Sequence, residues 1–232
     1  MSGRVAWLAI AALGLAASAG LGTQLDARKP RGAAVPVPPT PTAMRAEALG
    51  DGQFAFRARS LQLQHLGNLG GRIVPYKDMD YARLERWFRR LDALDARSDV
   101  VPMSAALLFG GTQTQADVRH VTAYLADHVR RDPGRKWRWM THAIYLARYK
   151  LDDNAHALEL ARELAGFEAP GIPGWARNLR VLVLADMGRT QAARALVGKL
   201  LDSDTMPPAE RRWLRHFLER ELRSGGDSPV RR

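Results

Sequence analysis

The run DPGRKWRWM places three basic side chains and two indole rings on five consecutive residues. Guanidinium and ammonium groups bind carboxylates and phosphates, and indole rings stack on cations or on apolar groups. The run therefore has the chemistry to contact an anionic membrane surface, an acidic protein segment or a nucleic acid. Its cations and indoles follow one another closely: Arg135, Lys136, Trp137, Arg138 and Trp139.

The same run also has the features of a helix start. Pro133 and Gly134 form a turn, and long Arg and Lys stems can cover neighbouring indole rings. Positions two apart in a helix point about 200° from each other, so Trp137 and Trp139 cannot lie on one surface. We expect one indole in the core and the other near its edge. The run therefore predicts the beginning of a helix, with contact to lipid headgroups or to an acidic partner as the alternative.

A second basic group lies on the stretch DYARLERWFRRLDAL. Arg86, Arg89 and Arg90 are spaced i, i+3 and i+4, and therefore share the helix face opposite the apolar stripe of that stretch. Together with Arg135 and Arg138, they are the candidates for a basic binding surface. The alternative for all five is an ordinary solvated, charged helix face.

The sequence contains no recognisable catalytic or metal-binding motif. Cysteine is absent, which excludes thiol nucleophiles and zinc–thiolate sites. The Gly-rich runs LGNLGG and FGGTQT lack the Lys of a phosphate-binding loop, and loop geometry is expected for both. His120, Tyr124 and His128 share one helix face, but the two histidines are too far apart for a metal pair, and we expect ordinary, partly exposed histidines. We therefore expect no enzyme activity, metal, cofactor or small-molecule substrate.

Apolar side chains recur with helical spacing from about residue 80 onward. Short breaks separate these stretches, and two acidic pairs, Asp78 with Asp80 and Asp152 with Asp153, stand where helix N-caps are expected. Residues 53–75 allow a strand or a helix at their start. A lone strand would have no partner, so we favour a helix to about Leu66 and then a Gly-rich loop. The other predicted helices are 80–94, 115–129, 137–149, 155–167, 175–187, 190–201 and 208–222.

The predicted helix pairs recur at roughly 34–40 residues, a spacing typical of helical solenoids. GRTQAARALVGKL resembles the second helix of a tetratricopeptide repeat (TPR), with Gly188 at the turn and Ala193 at the small crossing position, and DDNAHALELAREL is similar. The resemblance covers residues 78–202 and implies an all-α, right-handed α-α solenoid of TPR-like helix pairs. The stretches GDGQFAFRARSLQLQHLGNLGGR, DYARLERWFRRLDALDARSDVVP and PGIPGWAR resemble a group of uncharacterised proteobacterial membrane-anchored proteins with such repeats, which implies fold and location.

The beginning of the chain predicts a membrane segment. Residues 5–25 carry no charge and follow Arg4, and about 21 helical residues can cross a hydrocarbon layer of roughly 30 Å. The alternative is a secretory signal with an A-x-A-like cleavage site at ASA, residues 17–19. Basic residues follow the segment and leave its orientation open. The Pro-rich stretch 28–42 predicts a semi-rigid spacer.

These observations together divide the chain into five predicted parts. They are a transmembrane helix or signal segment (1–26), a Pro/Ala-rich linker (27–50), a lead-in helix with a Gly-rich loop (51–79), a TPR-like helical domain (80–222) and a disordered basic tail (223–232).

The charge distribution sets limits on the partners. The net charge is +11, but residues 51–222 carry 27 basic and 21 acidic side chains, which is a moderate excess, and no nucleic acid is expected as a partner. We expect a single-pass protein of the bacterial inner membrane with its helical domain in the periplasm or, after signal cleavage, a periplasmic or secreted protein. The expected function is a scaffold for protein–protein interaction, with an acidic segment or a membrane complex as candidate partner. The alternative is a structural accessory subunit of a larger membrane complex.

Overall fold

All regular secondary structure in the described part of the chain is helical, which confirms the predicted all-α class. The computed structural model describes four parts of the chain: Gly14 and residues 35–68, 73–202 and 206–220. The predicted membrane segment 1–26, apart from Gly14, and the predicted tail 223–232 lie outside these residues. Within the described ranges, no helix combines the length and the apolar character that crossing a membrane requires.

The helices follow one another with short connections. In chain order they are α1 (Pro41–Glu47), α2 (Gly52–Gln64), α3 (Tyr81–Asp92), α4 (Val100–Met103), α5 (Gln115–Arg130), α6 (Pro133–Tyr149), α7 (Asn154–Gly166), α8 (Gly174–Arg177), α9 (Leu179–Asp186), α10 (Thr190–Leu201) and α11 (Pro208–Arg220). A 3₁₀ turn, Tyr76–Asp78, precedes α3. A π-helix, Ser104–Leu108, and a 3₁₀ helix, Phe109–Gly111, extend α4, and the three together are called the helical segment 100–111.

Most of these helices begin and end close to their predicted bounds. The helix favoured after residue 53 is α2, and the predicted helix 175–187 is divided at Asn178 into α8 and α9. The side chains of Asp80 and Asp153 each accept a hydrogen bond, at 2.9 Å, from the backbone amide three residues later. Asp80 and Asp153 are therefore confirmed as N-caps, whereas Asp78 lies in the 3₁₀ turn and Asp152 precedes the cap with a positive φ of 53°.

Each helix packs mainly on its neighbours in the chain. α3 packs on α5, α5 on α6 and α6 on α7, and the row continues through α9 and α10 to α11. Connections of a few residues reverse the chain direction from α5 to α6 and from α6 to α7, so these neighbours are antiparallel. Residues 93–114 connect α3 to α5, and these two helices instead run parallel, because Glu85 contacts His120 and Asp92 contacts His128. The largest fully buried side chains come from successive elements of this row: Trp87, Phe88, Phe109, Tyr124, Met140, Ile144 and Leu164.

Part of the predicted linker 27–50 packs against α3. Val35 is completely buried, and its carbonyl accepts a hydrogen bond from Arg83 Nη1 at 3.1 Å. The carbonyl of Pro36 accepts one from Trp87 Nε1 at 2.8 Å. These contacts fix the chain before α1 to the side of α3.

The short helix α1 is a second difference from the predicted spacer. The Thr40 hydroxyl accepts a hydrogen bond from the Ala43 amide at 3.1 Å, and Pro41 occupies the first helical position, where its missing N–H costs nothing. Met44 of α1 is buried. The Pro-rich composition indicated an extended spacer, but the cap and the burial make residues 35–47 part of the folded domain.

The helical segment 100–111 is absent from the sequence prediction, which gave loop geometry to its Gly-rich end. Its π and 3₁₀ turns do not keep the repeat of 3.6 residues, so its apolar residues show no helical spacing. Phe109 is nonetheless completely buried. A Cβ on Gly110 would lie 3.2 Å from Leu146 Cδ1, so glycine lets the segment approach α6 closely.

Candidate protein-binding surface

The three arginines predicted on α3 do not form one free basic group. Arg86 and Arg90 are exposed, but Arg89 contacts two carboxylates. Its Nη2 lies 2.7 Å from Glu85 Oε1, and its Nη1 pairs with Asp127 of α5. Because its charge is compensated from two helices, Arg89 does not present a free cation.

The Arg89–Asp127 pair belongs to a row of charges across α3, α5 and α7. Arg130 Nη1 lies 2.5 Å from Asp127 Oδ1, and Arg130 Nε lies 2.6 Å from Glu163 Oε1 of α7. Burial by itself would raise the pKa of Asp127, but the hydrogen bonds and charges of Arg89 and Arg130 outweigh burial and lower that pKa. Opposite charges alternate along the row, so this side of the three helices is neutralised rather than basic.

The run DPGRKWRWM begins α6, as predicted, but its proline is the first helical residue, so Pro133 and Gly134 belong to the helix rather than to the predicted turn. Arg135 Nη2 donates a hydrogen bond to the carbonyl of Arg97 at 2.8 Å, and its Nε lies 4.0 Å from Asp132 Oδ2. Arg138 Cζ lies 5.7 Å from the centre of the Trp137 ring. Both arginines are exposed, and no carboxylate of the described residues makes a close ion pair with either of them.

The expectation that one of the two indoles enters the core is wrong. Trp137 and Trp139 are both half-buried, on different sides of α6. Trp137 packs edge-on against Trp175 with ring centres 5.4 Å apart, and Trp139 Nε1 donates to Asp99 Oδ1 at 2.9 Å. The buried member of the run is Lys136, which is 5% exposed because its position shares a face with the core residues four, seven and eleven positions later.

Beyond this run, α6 presents an exposed aromatic surface. Arg138, His142, Tyr145 and Tyr149 are spaced i, i+4, i+7 and i+11, and we call them the α6 aromatic face. Tyr145 and Tyr149 are 53% and 60% exposed, with ring centres 4.9 Å apart. Burial lowers the pKa of His142 and so disfavours a positive charge on this ring. Sequence reasoning missed both tyrosines, although their spacing places them on the same face as Arg138.

A neighbouring helix holds the α6 aromatic face. Arg148 Cζ lies 4.8 Å from the centre of the Tyr149 ring, and its Nη2 pairs with Asp186 of α9. The helical segment 100–111, which also packs on α6, carries exposed apolar side chains of its own, Met103 and Leu107, and the second of these is 62% exposed. Exposed apolar groups of this size are typical of surfaces that bind other proteins.

The interior between α3 and α5 contains a polar cluster centred on Asp92. His128 Nδ1 lies 2.7 Å from Asp92 Oδ2, the Tyr124 hydroxyl donates to Oδ1 at 3.0 Å, and Arg131 Nη1 lies 3.3 Å from Oδ2. The expectation of a partly exposed histidine is wrong for His128, which is 1% exposed. Burial lowers the pKa of Lys136, while the nearby Asp92 charge acts in the opposite direction. Because Asp92 and His128 are closed to solvent, the cluster ties α3 to α5 and offers no reaction site.

His120, the third member of the same α5 face, lies 2.6 Å from Glu85 of α3 through its Nδ1. Glu85 and Asp92 are seven residues apart on α3, so both meet this face of α5. The shared spacing of His120, Tyr124 and His128 was therefore the sequence signal for a polar contact between two helices.

Neither a metal-binding group among the described residues nor a similar known protein indicates the function of this chain. The described residues contain no group of three or more His, Asp or Glu side chains placed to hold a metal ion. Comparisons with known protein families, with curated proteins and with solved structures find no match to this chain. The α6 aromatic face and the arginines at its start are therefore the features from which we infer a function.

Proposed function

We propose that this chain is a helical scaffold that binds a protein partner through the α6 aromatic face. The observation that carries the proposal is the exposure of Tyr145 and Tyr149, two large rings that lie side by side in solvent. Tyrosine is enriched in protein interfaces because its ring is apolar, its hydroxyl can hydrogen-bond and few torsions become fixed on binding. Two such rings with arginines at one end have the composition of an interface centre.

The chemistry of this surface favours a partner segment that combines acidic and apolar residues. Arg135 and Arg138 lie at the beginning of α6, and the two tyrosines lie towards its end. Arg138 and Tyr149 are eleven residues apart, which is about 16 Å along a helix. An extended segment of about five residues covers that length. Its acidic end would meet the arginines, and its apolar end would meet the rings.

The proposal includes the finer fold and the location expected from the sequence. The row of helices, in which each helix packs on the next, supports a right-handed α-α solenoid of TPR-like pairs. The uncharged segment 5–25 supports a tether in the bacterial inner membrane, with the scaffold in the periplasm. Cleavage after ASA would instead give a free periplasmic or secreted protein.

A second exposed apolar group favours the alternative, a structural accessory subunit of a membrane complex. Phe54 and Leu61 of α2 are 61% and 58% exposed. A permanent subunit buries large and often several surfaces, whereas the scaffold needs only the α6 aromatic face. The scaffold and the accessory subunit therefore differ in how many exposed surfaces of this chain are needed to bind the partner.

The test is affinity capture of the full-length, tagged protein from detergent-solubilised membranes. The wild type is compared with the double variants Tyr145→Ser/Tyr149→Ser and Phe54→Ser/Leu61→Ser, which remove similar exposed area at two places. We expect the tyrosine variant to lose a stoichiometric partner that the α2 variant retains. Loss in both variants supports the accessory subunit, and an unchanged partner in the tyrosine variant overturns the proposed binding face.

The charge of the partner segment is tested by charge reversal. Arg135→Glu/Arg138→Glu should weaken capture of the same partner by at least about tenfold, because like charges then face each other across the interface. Arg86→Glu/Arg90→Glu changes the net charge equally on α3 and is the matched control. Equal effects of the two double variants, or no effect of the first, would show that the partner is not recognised through acidic groups at the start of α6.

A further inference from the structure

A cleft of about 380 Å³ lies where the end of α7, the α8–α9 pair, α10 and the beginning of α11 meet. Its volume is in the range of small-ligand sites. Ala165, Leu200 and Met206 supply part of an apolar wall. The polar side chains in its lining are Arg177, Asn178, Arg180 and Glu210.

Arg177 is a fixed cation of this cleft. Its Nη2 donates to the carbonyl of Ala169 at 2.9 Å, and its Nη1 contacts the carbonyls of Ala165, at 3.3 Å, and Phe167. These three acceptors are neutral, so they orient the guanidinium without cancelling its charge. Arg177 therefore contributes a positive charge at a defined place, and no carboxylate among the described residues forms an ion pair with it.

Arg180 is the second cation of this cleft. Among the described residues, its buried Nε has no hydrogen-bond partner and no carboxylate makes an ion pair with it. Burial lowers the pKa of Arg180, and repulsion from the nearby Arg162 acts in the same direction. The Nε of Arg148 is also buried and unpartnered, but Arg148 pairs with Asp186 through its Nη2. Arg180 belongs to the lining of the cleft, so an anion bound there would supply the opposite charge that no described carboxylate gives this guanidinium.

The carboxylate in the lining is held by a neutral side chain. Glu210 Oε1 accepts a hydrogen bond from Nδ2 of the buried Asn178. Its Oε2 occupies the space that a Cβ would need at Gly174, so glycine at this position makes room for the Glu210 carboxylate. Glu210 is thus engaged by Asn178 and makes no ion pair with Arg180 among the described contacts.

We propose that this cleft binds a monocarboxylate with an attached apolar group, and that Arg180 receives the carboxylate. Arg177 and Arg180 outweigh Glu210 by one positive charge, which matches a single negative charge better than a phosphate dianion. Leu200 and Met206 suit the apolar group beside the carboxylate. The ligand is either the C-terminal residue of a peptide or a free aliphatic acid, and this site is independent of the α6 aromatic face.

The experiment uses isothermal titration of the full-length protein with four probes. The first two probes are a short peptide that ends in leucine, once with a free C-terminal carboxylate and once as the C-terminal amide. The other two are hexanoate and its amide, hexanamide. We expect at least one free acid to bind at least tenfold more tightly than its amide. Binding of the peptide acid only identifies a chain end as the ligand, and binding of hexanoate identifies a free acid. Equal binding of acid and amide, or no binding of any probe, overturns the proposal.

Two variants assign the binding to Arg180. Arg180→Gln should weaken the preferred acid at least tenfold, while Arg212→Gln, the same change at an exposed position of α11 outside the cleft, should leave the affinity unchanged. Circular dichroism checks that both variants keep the helical fold. Wild-type affinity in Arg180→Gln, or displacement of the acid by an equal concentration of inorganic phosphate, would overturn the assignment of a monocarboxylate site.

Discussion

Replacing Asp92 by alanine tests whether the buried polar cluster fastens α3 to α5. The Asp92 carboxylate accepts the Tyr124 hydroxyl at 3.0 Å, and His128 Nδ1 lies 2.7 Å from it. Neither group can turn to water, because both side chains are enclosed. The Arg131 side chain is 40% exposed and regains solvent when its partner is lost. The substitution therefore leaves two buried polar groups unpaired and one cation hydrated.

The loss of stability in Asp92→Ala can be estimated from the two buried groups that lose their hydrogen-bond partner. Each unsatisfied buried polar group costs about 1–3 kcal/mol, so two cost about 2–6 kcal/mol. Removing the carboxylate also removes the free energy needed to bury its charge, which offsets part of the loss. We expect Asp92→Ala to lower the free energy of unfolding by about 3–4 kcal/mol. Tyr124→Phe leaves His128 and Arg131 on the carboxylate and should cost about 1 kcal/mol.

Urea unfolding followed by far-ultraviolet circular dichroism measures both values and their coupling. The double variant Asp92→Ala/Tyr124→Phe should be no less stable than Asp92→Ala, because it no longer contains the buried tyrosine hydroxyl that lacks a hydrogen-bond partner. Two results would refute the reasoning. One is a cost below about 1 kcal/mol for Asp92→Ala, which is typical of a position without a buried network. The other is simple additivity of the two single costs.

Three further predictions concern packing and pH. Gly134→Ala should destabilise the domain by about 1–3 kcal/mol in urea unfolding, because its Cβ would lie 2.7 Å from the carbonyl oxygen of Pro170. Gly198→Ala, in the interior of α10 with open space around the new methyl group, should stabilise it by about 0.5–1 kcal/mol, and the opposite sign at either glycine would contradict this reading. The pKa of Asp127 is lowered from 3.8, so its stabilising contribution is present above that pH and is lost as the pH falls through the lowered pKa. The difference in stability between wild type and Asp127→Asn should therefore shrink between pH 7 and pH 3, and a constant difference would exclude this role.

Much of the fold could be predicted because most helices combine two signals. An apolar stripe of period 3.6 gives the helix, and a capping or breaking residue such as Asp80, Asp153 or Gly188 gives its end. The helical segment 100–111 has neither signal, since its π and 3₁₀ turns break the period. α1 is too short for a stripe, and its Thr–Pro start was outweighed by the Pro-rich composition around it.

The candidate sites were less predictable, because side-chain partners come from distant parts of the chain. Arg135 and Arg138 were placed on α6 by their local spacing, but the same spacing could not show that Tyr145 and Tyr149 face solvent. The side of a helix that is covered depends on its neighbours. The partner of His128 is 36 residues away on α3, and the cleft around Arg180 exists only where several helices meet.

The hydrogen bonds that hold Val35 and Pro36 to α3 determine how the domain carries a mechanical load. A pull from the N-terminal side arrives first at the contacts with Arg83 and Trp87, and so enters the row of helices at the side of α3. A pull from the C-terminal side arrives at α11, where Leu214 is the buried side chain. We expect α11 to peel away under a smaller force than the N-terminal contacts resist. The end with the greater mechanical resistance is thus the one that faces the proposed membrane tether.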